Sequence, residues 1–212
     1  MYLHFTPIWI QKLLPGFTYR KMVEEKVVFI TFDDGPIPEV TPWVLETLAQ
    51  YNAKATFFCV GENISKHPHI FQAIISAGHA IGNHTYNHLK GQKNSTEVYL
   101  QNITACEEEI NSYPINNINL PKLFRPPHGR LTFAQAKKIR DLNYDIILWN
   151  VLSGDFDIHL SQEKCLNKTL QHTKKGAIVV FHDNTKSFEK IKYVLPRYLQ
   201  TLTAEGYTFQ TL

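Results

Sequence analysis

Two carboxylates stand side by side at Asp33 and Asp34, directly after the apolar run Val27-Val-Phe-Ile-Thr-Phe32 and directly before Gly35-Pro36. Neighbouring like charges repel unless a cation or a proton lies between them, so the pair suits a metal site or a paired acid–base role. The plainer reading is an Asp-Asp-Gly turn that closes a strand. Further along, His84-Thr-Tyr-Asn-His88 places two imidazoles four residues apart, close enough within a helical turn to share one cation. The zinc-protease pattern puts Glu directly after the first His, whereas Thr85 follows here. Any general base must then come from elsewhere, and the Asp33-Asp34 pair can supply it. Two His and one carboxylate make a three-ligand site with a position left open for water, the arrangement of a catalytic rather than a structural zinc site. Histidines at this spacing also occur by accident, so the pair alone does not decide between a metal site and none.

The elements that must position these groups read as alternating strands and helices. Val27–Phe32 is a short unbroken apolar run of strand formers, as expected for an inner strand covered on both faces. Residues 38–51 carry apolar side chains at helical spacing, 55–60 form a second strand, 68–76 a helix, and 79–84 a short strand running into polar residues. A long helix over 95–112 and a loop over 116–121 follow. Leu123–Arg125 is a strand meeting Pro126-Pro127, and Thr132 caps a helix through Leu142. Residues 145–151 read as one strand, 161–172 as a helix, 176–182 as the last long apolar strand, and 188–204 as a helix. Residues 8–14 suit a short surface helix. Repeated strand–helix units imply parallel strands with crossover helices. Asp33, Asp34, His84, His88, Arg125, Asp155 and His182 all follow expected strands, so one rim of the sheet should collect them, the rim where parallel α/β folds bind ligands.

Composition sets the outer bounds. A chain of 212 residues, 43% hydrophobic and 19% charged, is long enough for one full core and short for two, so a single domain over 1–212 is expected. The charge of +3 comes from 22 basic and 19 acidic residues spread along the chain, which gives nucleic-acid binding no support. No run approaches the ~20 apolar residues of a membrane span. Cys59, Cys106 and Cys165 are widely spaced and odd in number, most simply free thiols in a reducing compartment. The first fifteen residues lack the features of a signal peptide, so a cytoplasmic protein is expected, with an envelope-associated one as the alternative.

Four stretches, Thr31-Phe-Asp-Asp-Gly-Pro36, His84-Thr-x-x-His88, Arg125-x-Pro127-x-Gly129 and Val180-Phe-His182, resemble the ordered motifs of the polysaccharide deacetylase family, also called NodB-like or carbohydrate esterase family 4. Together they span residues 27–183. The resemblance implies a distorted, incomplete (β/α) barrel with about seven units and metal-dependent removal of N-acetyl groups from N-acetylglucosamine-containing glycans of peptidoglycan or chitin type. It also implies roles: Asp33 as catalytic base, Asp34, His84 and His88 as ligands of a divalent metal, and Arg125 as partner of the base. The backbone N–H of His128 would help hold an oxyanion, and His182 would be the general acid. Zn²⁺ is the expected metal, with Co²⁺ and Ni²⁺ as alternatives, since mixed His and carboxylate ligands accept several divalent cations. The implied partner is an N-acetylated oligo- or polysaccharide, bound by a monomer.

The chain departs from the family pattern at the fourth motif. In place of Asp-x-x-Asp-Trp it has Leu152-Ser-Gly-Asp155-Phe156, so Leu152 stands where the family has the carboxylate that partners the acid histidine. Phe156 replaces the Trp that walls the acetyl pocket, Val180 stands where Leu is usual, and His128 replaces an aromatic residue. Phe156 and Val180 are therefore expected to meet the substrate. With Leu152 beside it, His182 is expected to titrate lower than in relatives that keep the Asp, unless Asp155 or Asp157 supplies the missing charge by a different loop path. Two rival readings follow: a metal-retaining glycan-binding protein with little turnover, and an amide hydrolase acting on a small non-sugar substrate.

Overall fold

The computed structural model describes residues 3–14, 16–114 and 122–212; the loop expected over 116–121 lies outside them. In chain order the elements are α1 (Ile8–Leu13), β1 (Val27–Asp33), α2 (Val40–Gln50), β2 (Ala55–Cys59), α3 (Gly61–Lys66), α4 (Pro68–Ser76), β3 (Ala80–Asn83), α5 (Thr96–Asn111), β4 (Lys122–Phe124), α6 (Phe133–Asp141), β5 (Tyr144–Ile146), β6 (Val151–Leu152), α7 (Gln162–His172), β7 (Ile178–His182), α8 (Phe188–Ala204) and β8 (Thr208–Phe209). The strands run in the order β5-β4-β3-β2-β1-β7-β6, every pair parallel, with β8 added beside the start of β1. The curled parallel sheet with its covering helices is the incomplete (β/α) barrel that the motifs imply.

Residues 145–151 do not form one strand. The ends of the sheet path, β5 and β6, are consecutive in sequence, and the four residues between them carry the chain from pairing with β4 to pairing with β7. The N-terminal arm is threaded along this seam. Thr6 N–H donates to the Asn150 carbonyl at 2.9 Å, Leu152 N–H to His4 at 2.9 Å, and Thr18 N–H to Ile146 at 2.9 Å. A continuous apolar run is compatible with either arrangement, because it reports burial and not the pairing partner. α3, six residues directly after β2, had no expectation behind it.

The period of two along β1 divides the core and aims the first carboxylate. Val28, Ile30 and Phe32 join the outer cluster with Val44 and Leu48 of α2 and Leu195 and Leu199 of α8. Val27 and Phe29 face the other way, into a smaller cluster with Phe58, Leu123 and Ile178 inside the barrel. Thr31 and Asp33 continue that inner row. Register brings the strand ends level: Asp33 pairs with His182 across β1 and β7, Cys59 with Asn83, and Asn83 with Phe124. The helices are stopped and started by local chemistry, as where Thr132 and Gln135 form a reciprocal capping box at the start of α6. The three cysteines are free and buried. Among the described residues no helix is long and apolar enough to cross a membrane.

Candidate active site

Asp33 and Asp34 are adjacent yet serve opposite directions because the backbone turns between them. Asp33 ends β1 and points into the barrel, whereas Asp34 takes a left-handed φ of 87°, which lifts its side chain toward the rim instead of burying it among the helices. Gly35 follows because only a residue without Cβ fits there: a Cβ would lie 2.0 Å from Asp183 Oδ2. Asp183 in turn accepts hydrogen bonds from Gly35 N–H at 3.0 Å and Thr41 Oγ1 at 2.6 Å, tying this turn to the end of β7 and the start of α2. Burial pushes the Asp183 carboxyl up to about 8, against those two hydrogen bonds.

Arg125 fills the barrel above the inner cluster and is wholly buried. Its Nη1 donates to Asp33 Oδ1 and to Thr31 Oγ1, both at 2.7 Å. Nε and Nη2 reach the carbonyls of Ile147 and Leu148 at 3.2 Å each, and the guanidinium lies 4.0 Å from the centre of the Phe58 ring. This is the fork geometry that lets arginine serve a carboxylate and several acceptors at once. Asp33 Oδ1 is thereby engaged.

His84 and His88 do not share a helical turn, as their spacing suggested. They lie in a loop after β3 in which Thr85 and His88 both have positive φ, 66° and 53°. Asn83 Oδ1 holds the Thr85 N–H at 2.9 Å, and Thr85 Oγ1 holds the Leu89 N–H at 2.9 Å, so the loop is closed on itself. It brings the two rings to 5.1 Å between centres. His84 Nδ1 lies 2.7 Å from the Arg125 carbonyl, which fixes that nitrogen as the proton donor and leaves Nε2 with a lone pair. That lone pair faces Asp34 Oδ1 at 3.6 Å, and His88 Nε2 lies 3.2 Å from the same oxygen.

Asp34 Oδ1 is buried and, among the described residues, has no hydrogen-bond partner. One buried acceptor facing an imidazole lone pair is unfavourable unless a cation lies between them. The donor atoms of Asp34, His84 and His88 all lie within 4.8 Å of one another, and their chemistry suits a divalent metal of the zinc class. Burial holds His84 down at about 4, against the pull of Asp33 and Asp34, so the ring is neutral and can act as a ligand. For Asp34 burial works upward, but His88 beside it and the charge of His182 prevail and hold the carboxyl below its usual range.

Across the cleft His182, opposite Asp33, has a carboxylate partner after all. Asp155 Oδ1 lies 2.8 Å from His182 Nδ1, and its Oδ2 accepts the His182 backbone N–H at 2.7 Å. The expectation that Leu152 leaves His182 without a partner, and so lowers its titration, is thus overturned, and of the two alternatives it is Asp155 that supplies the charge. Gly154, with φ 79°, swings the chain so that the third residue beyond β6 does the job expected of the second residue of the strand. Burial lowers the imidazole, but the Asp155 charge and hydrogen bond outweigh it, with help from Asp34 and Asp33, and His182 rises to about 10.

The remaining expected positions divide. Phe156 packs edge-on against His182 at 5.2 Å between ring centres, and His128 packs edge-on against His88 at 4.9 Å, with a positive φ of 59°. Both line an open cleft of about 1070 Å³ together with Asp33, Asp34 and Leu152. Val180, expected to meet substrate, is fully buried within β7 and is not part of the wall; Leu152, its partner in register, is. Sequence reading missed Asp183, Asn184, Tyr19, Trp149 and the N-terminal arm, whose Leu3, Ile10 and Leu14 line the same cleft. Asp183 and Asn184 had a usable signal, since they directly follow a strand end already singled out.

Likeness to known proteins runs over nearly the whole chain. A family model described as polysaccharide deacetylase matches residues 20–147. The chain is 34% identical over 196 residues to a peptidoglycan-N-acetylglucosamine deacetylase of Bacillus cereus, which covers 92% of this chain and 90% of that one. It is 28% identical to a chitooligosaccharide deacetylase of Azorhizobium caulinodans, over 93% and 98% of the two chains. A crystal structure of a peptidoglycan N-acetylglucosamine deacetylase superposes with a TM-score of 0.85 at 32% identity, covering 98% of this chain and 95% of its own. A model matched over more than half the sequence and a relative aligned almost end to end place the chain in the polysaccharide deacetylase family.

Proposed function

We propose that this protein is a divalent-metal-dependent hydrolase that removes N-acetyl groups from N-acetylglucosamine residues of a glycan, with peptidoglycan-type strands as its substrate. The observation that carries the reading is the convergence on one cleft of the Asp34-His84-His88 cluster, the Arg125–Asp33 pair and the His182–Asp155 pair. A metal held by Asp34, His84 and His88 would act as a Lewis acid on the amide carbonyl, a poor electrophile by itself. Asp33 has one oxygen taken by Arg125 and offers the other to the proton of the attacking water. His182 has Nδ1 taken by Asp155 and offers Nε2–H to the amide nitrogen. The C–N bond then breaks with the nitrogen leaving as a neutral amine and the acyl group as acetate. Phe156 and Leu152 cover the acetyl methyl, and the backbone N–H of His128 faces the developing oxyanion.

Peptidoglycan-type strands are favoured over neutral chitin because Lys90, Lys93, Arg130 and Lys186 line the cleft, while among its described lining residues only Asp33 and Asp34 are acidic. The low-turnover reading rested on Leu152, and the Asp155–His182 pair removes its ground. The test is acetate release from N-acetylated peptidoglycan strands and from chito-oligosaccharides, after chelation and again after adding back Zn²⁺. Activity lost on chelation, restored by Zn²⁺ and greater on the anionic strands supports the proposal; activity indifferent to chelation overturns it.

A further inference from the structure

The Asp34 side chain is held by more than its imidazole neighbours. Its N–H donates to the Phe58 carbonyl at 3.3 Å, and its own carbonyl accepts from Asn63 Nδ2 at 2.7 Å. Its Oδ2 accepts from Asn184 Nδ2 at 2.6 Å, which leaves Oδ1 as the polar atom of the residue without a hydrogen-bond partner among the described residues. The direction of the Asn184 amide is set at its other end. Asn184 Oδ1 accepts the backbone N–H of Ser187 at 2.9 Å, and a backbone N–H can only donate. The amide NH₂ must therefore face Asp34, and the assignment of its O and N does not depend on Asp34 itself.

We infer that Asn184 is a positioning residue that divides the work of the Asp34 carboxylate, tying Oδ2 and reserving Oδ1 for the cation, so that Asp34 serves as a one-oxygen ligand. The inference rests on reading Asp34, His84 and His88 as the cation site. A free carboxylate can present both oxygens to a divalent metal and take up a coordination position the substrate needs. With Oδ2 held by an anchored amide, that mode is disfavoured, and the carboxylate plane is oriented before any metal arrives. Partners of metal ligands of this kind typically contribute a factor of about 10 to 100 in affinity.

The experiment loads the full chain with Co²⁺ and with Zn²⁺, measuring affinity by competition with a chromophoric chelator and coordination from the visible spectrum of the Co²⁺ form. In Asn184→Ala, affinity should fall about 10- to 100-fold, and the Co²⁺ absorption should weaken as Asp34 adds its second oxygen. Thermal unfolding of the metal-free forms is measured alongside, because a merely structural role would lower the melting temperature and leave the Co²⁺ spectrum alone. If Asn184→Ala does not fold, Asn184→Ser, whose hydroxyl cannot span Ser187 and Asp34 together, replaces it with the same readouts. An affinity within twofold of wild type and an unchanged spectrum would overturn the inference. Failure of the wild-type chain to retain stoichiometric metal would overturn the site reading beneath it, and the two failures are distinct.

Discussion

Two carboxylates on opposite sides of the cleft are each clasped by a cationic partner, and the partners differ in kind. Asp33 meets Arg125, which is sealed inside the barrel; burial pulls its guanidinium down and the Asp33 charge works against that, and the group stays charged across the working range. Asp155 meets His182, whose side chain is 16% exposed to the cleft and whose charge is lost near pH 10. The cationic partner on one side of the cleft is therefore constant, and the one on the other side has a titratable limit. On the proposed mechanism, the alkaline end of the pH dependence should belong to the His182 side, and to the loop that delivers Asp155 rather than to any strand position.

The largest effect should come from the constant side. Asp33→Asn keeps the shape and the contact with Arg125 but cannot take a proton, so kcat/KM should fall roughly 10²- to 10⁴-fold with metal retained. Asp34→Asn should instead weaken metal binding itself, because it neutralises the oxygen that faces His84 and His88. Activity and metal content measured on both variants test the split. Equal loss of metal in the two would show that the adjacent carboxylates do not divide their roles.

The next effect falls on the titratable side. His182 is raised from 6.5 to about 10, so the protonated acid is available below that value and is lost as pH rises through it. The same sign governs stability: the pair's contribution is complete below pH 6.5 and disappears between there and about 10. Asp155→Asn removes the charge and leaves the burial, which acts downward. The alkaline limb of kcat/KM should then drop by several pH units, toward or below 6.5. An alkaline limb that stays in place would mean that His182 is not the acid that sets it.

The contrast between the two sides also explains what could be read from the chain. Asp33, His84, Arg125 and His182 lie at or one residue beyond the ends of neighbouring parallel strands, and register alone puts such residues on one level. Strand ends are visible as apolar runs stopping at polar residues, so that rim was legible. Asp155 lies three residues past β6, where its reach depends on the left-handed turn at Gly154, and a motif aligned by position points to Leu152 instead. The His84–His88 spacing was read as helical, yet two left-handed residues produce the same proximity in a loop. Nothing in a run of apolar residues says that the chain changes pairing partner between β5 and β6. The Asn63 and Asn184 amides were invisible for a related reason: each is defined by a hydrogen bond made across more than 25 residues, and asparagine is common in loops for local reasons as well.

The smallest effect should come from Leu152 itself, and it tests whether the two routes to a carboxylate partner are interchangeable. Leu152 is 7% exposed, lines the cleft, and pairs in register with Val180, two residues before His182. In Leu152→Asp a second carboxylate would approach an imidazole whose Nδ1 and backbone N–H are already taken by Asp155, so the alkaline limb should barely move. The new charge would be nearly buried with no donor waiting for it, and the visible consequence should be lower thermal stability rather than an altered pH profile. In the double variant Leu152→Asp, Asp155→Asn the situation reverses. The Asn cannot supply charge, the strand position can, and the alkaline limb should recover part of what Asp155→Asn alone has lost. Three pH–rate profiles on one N-acetylated substrate decide the matter. A double variant no better than Asp155→Asn would mean that the strand position cannot reach His182 in this chain, and that only the loop path can hold its partner.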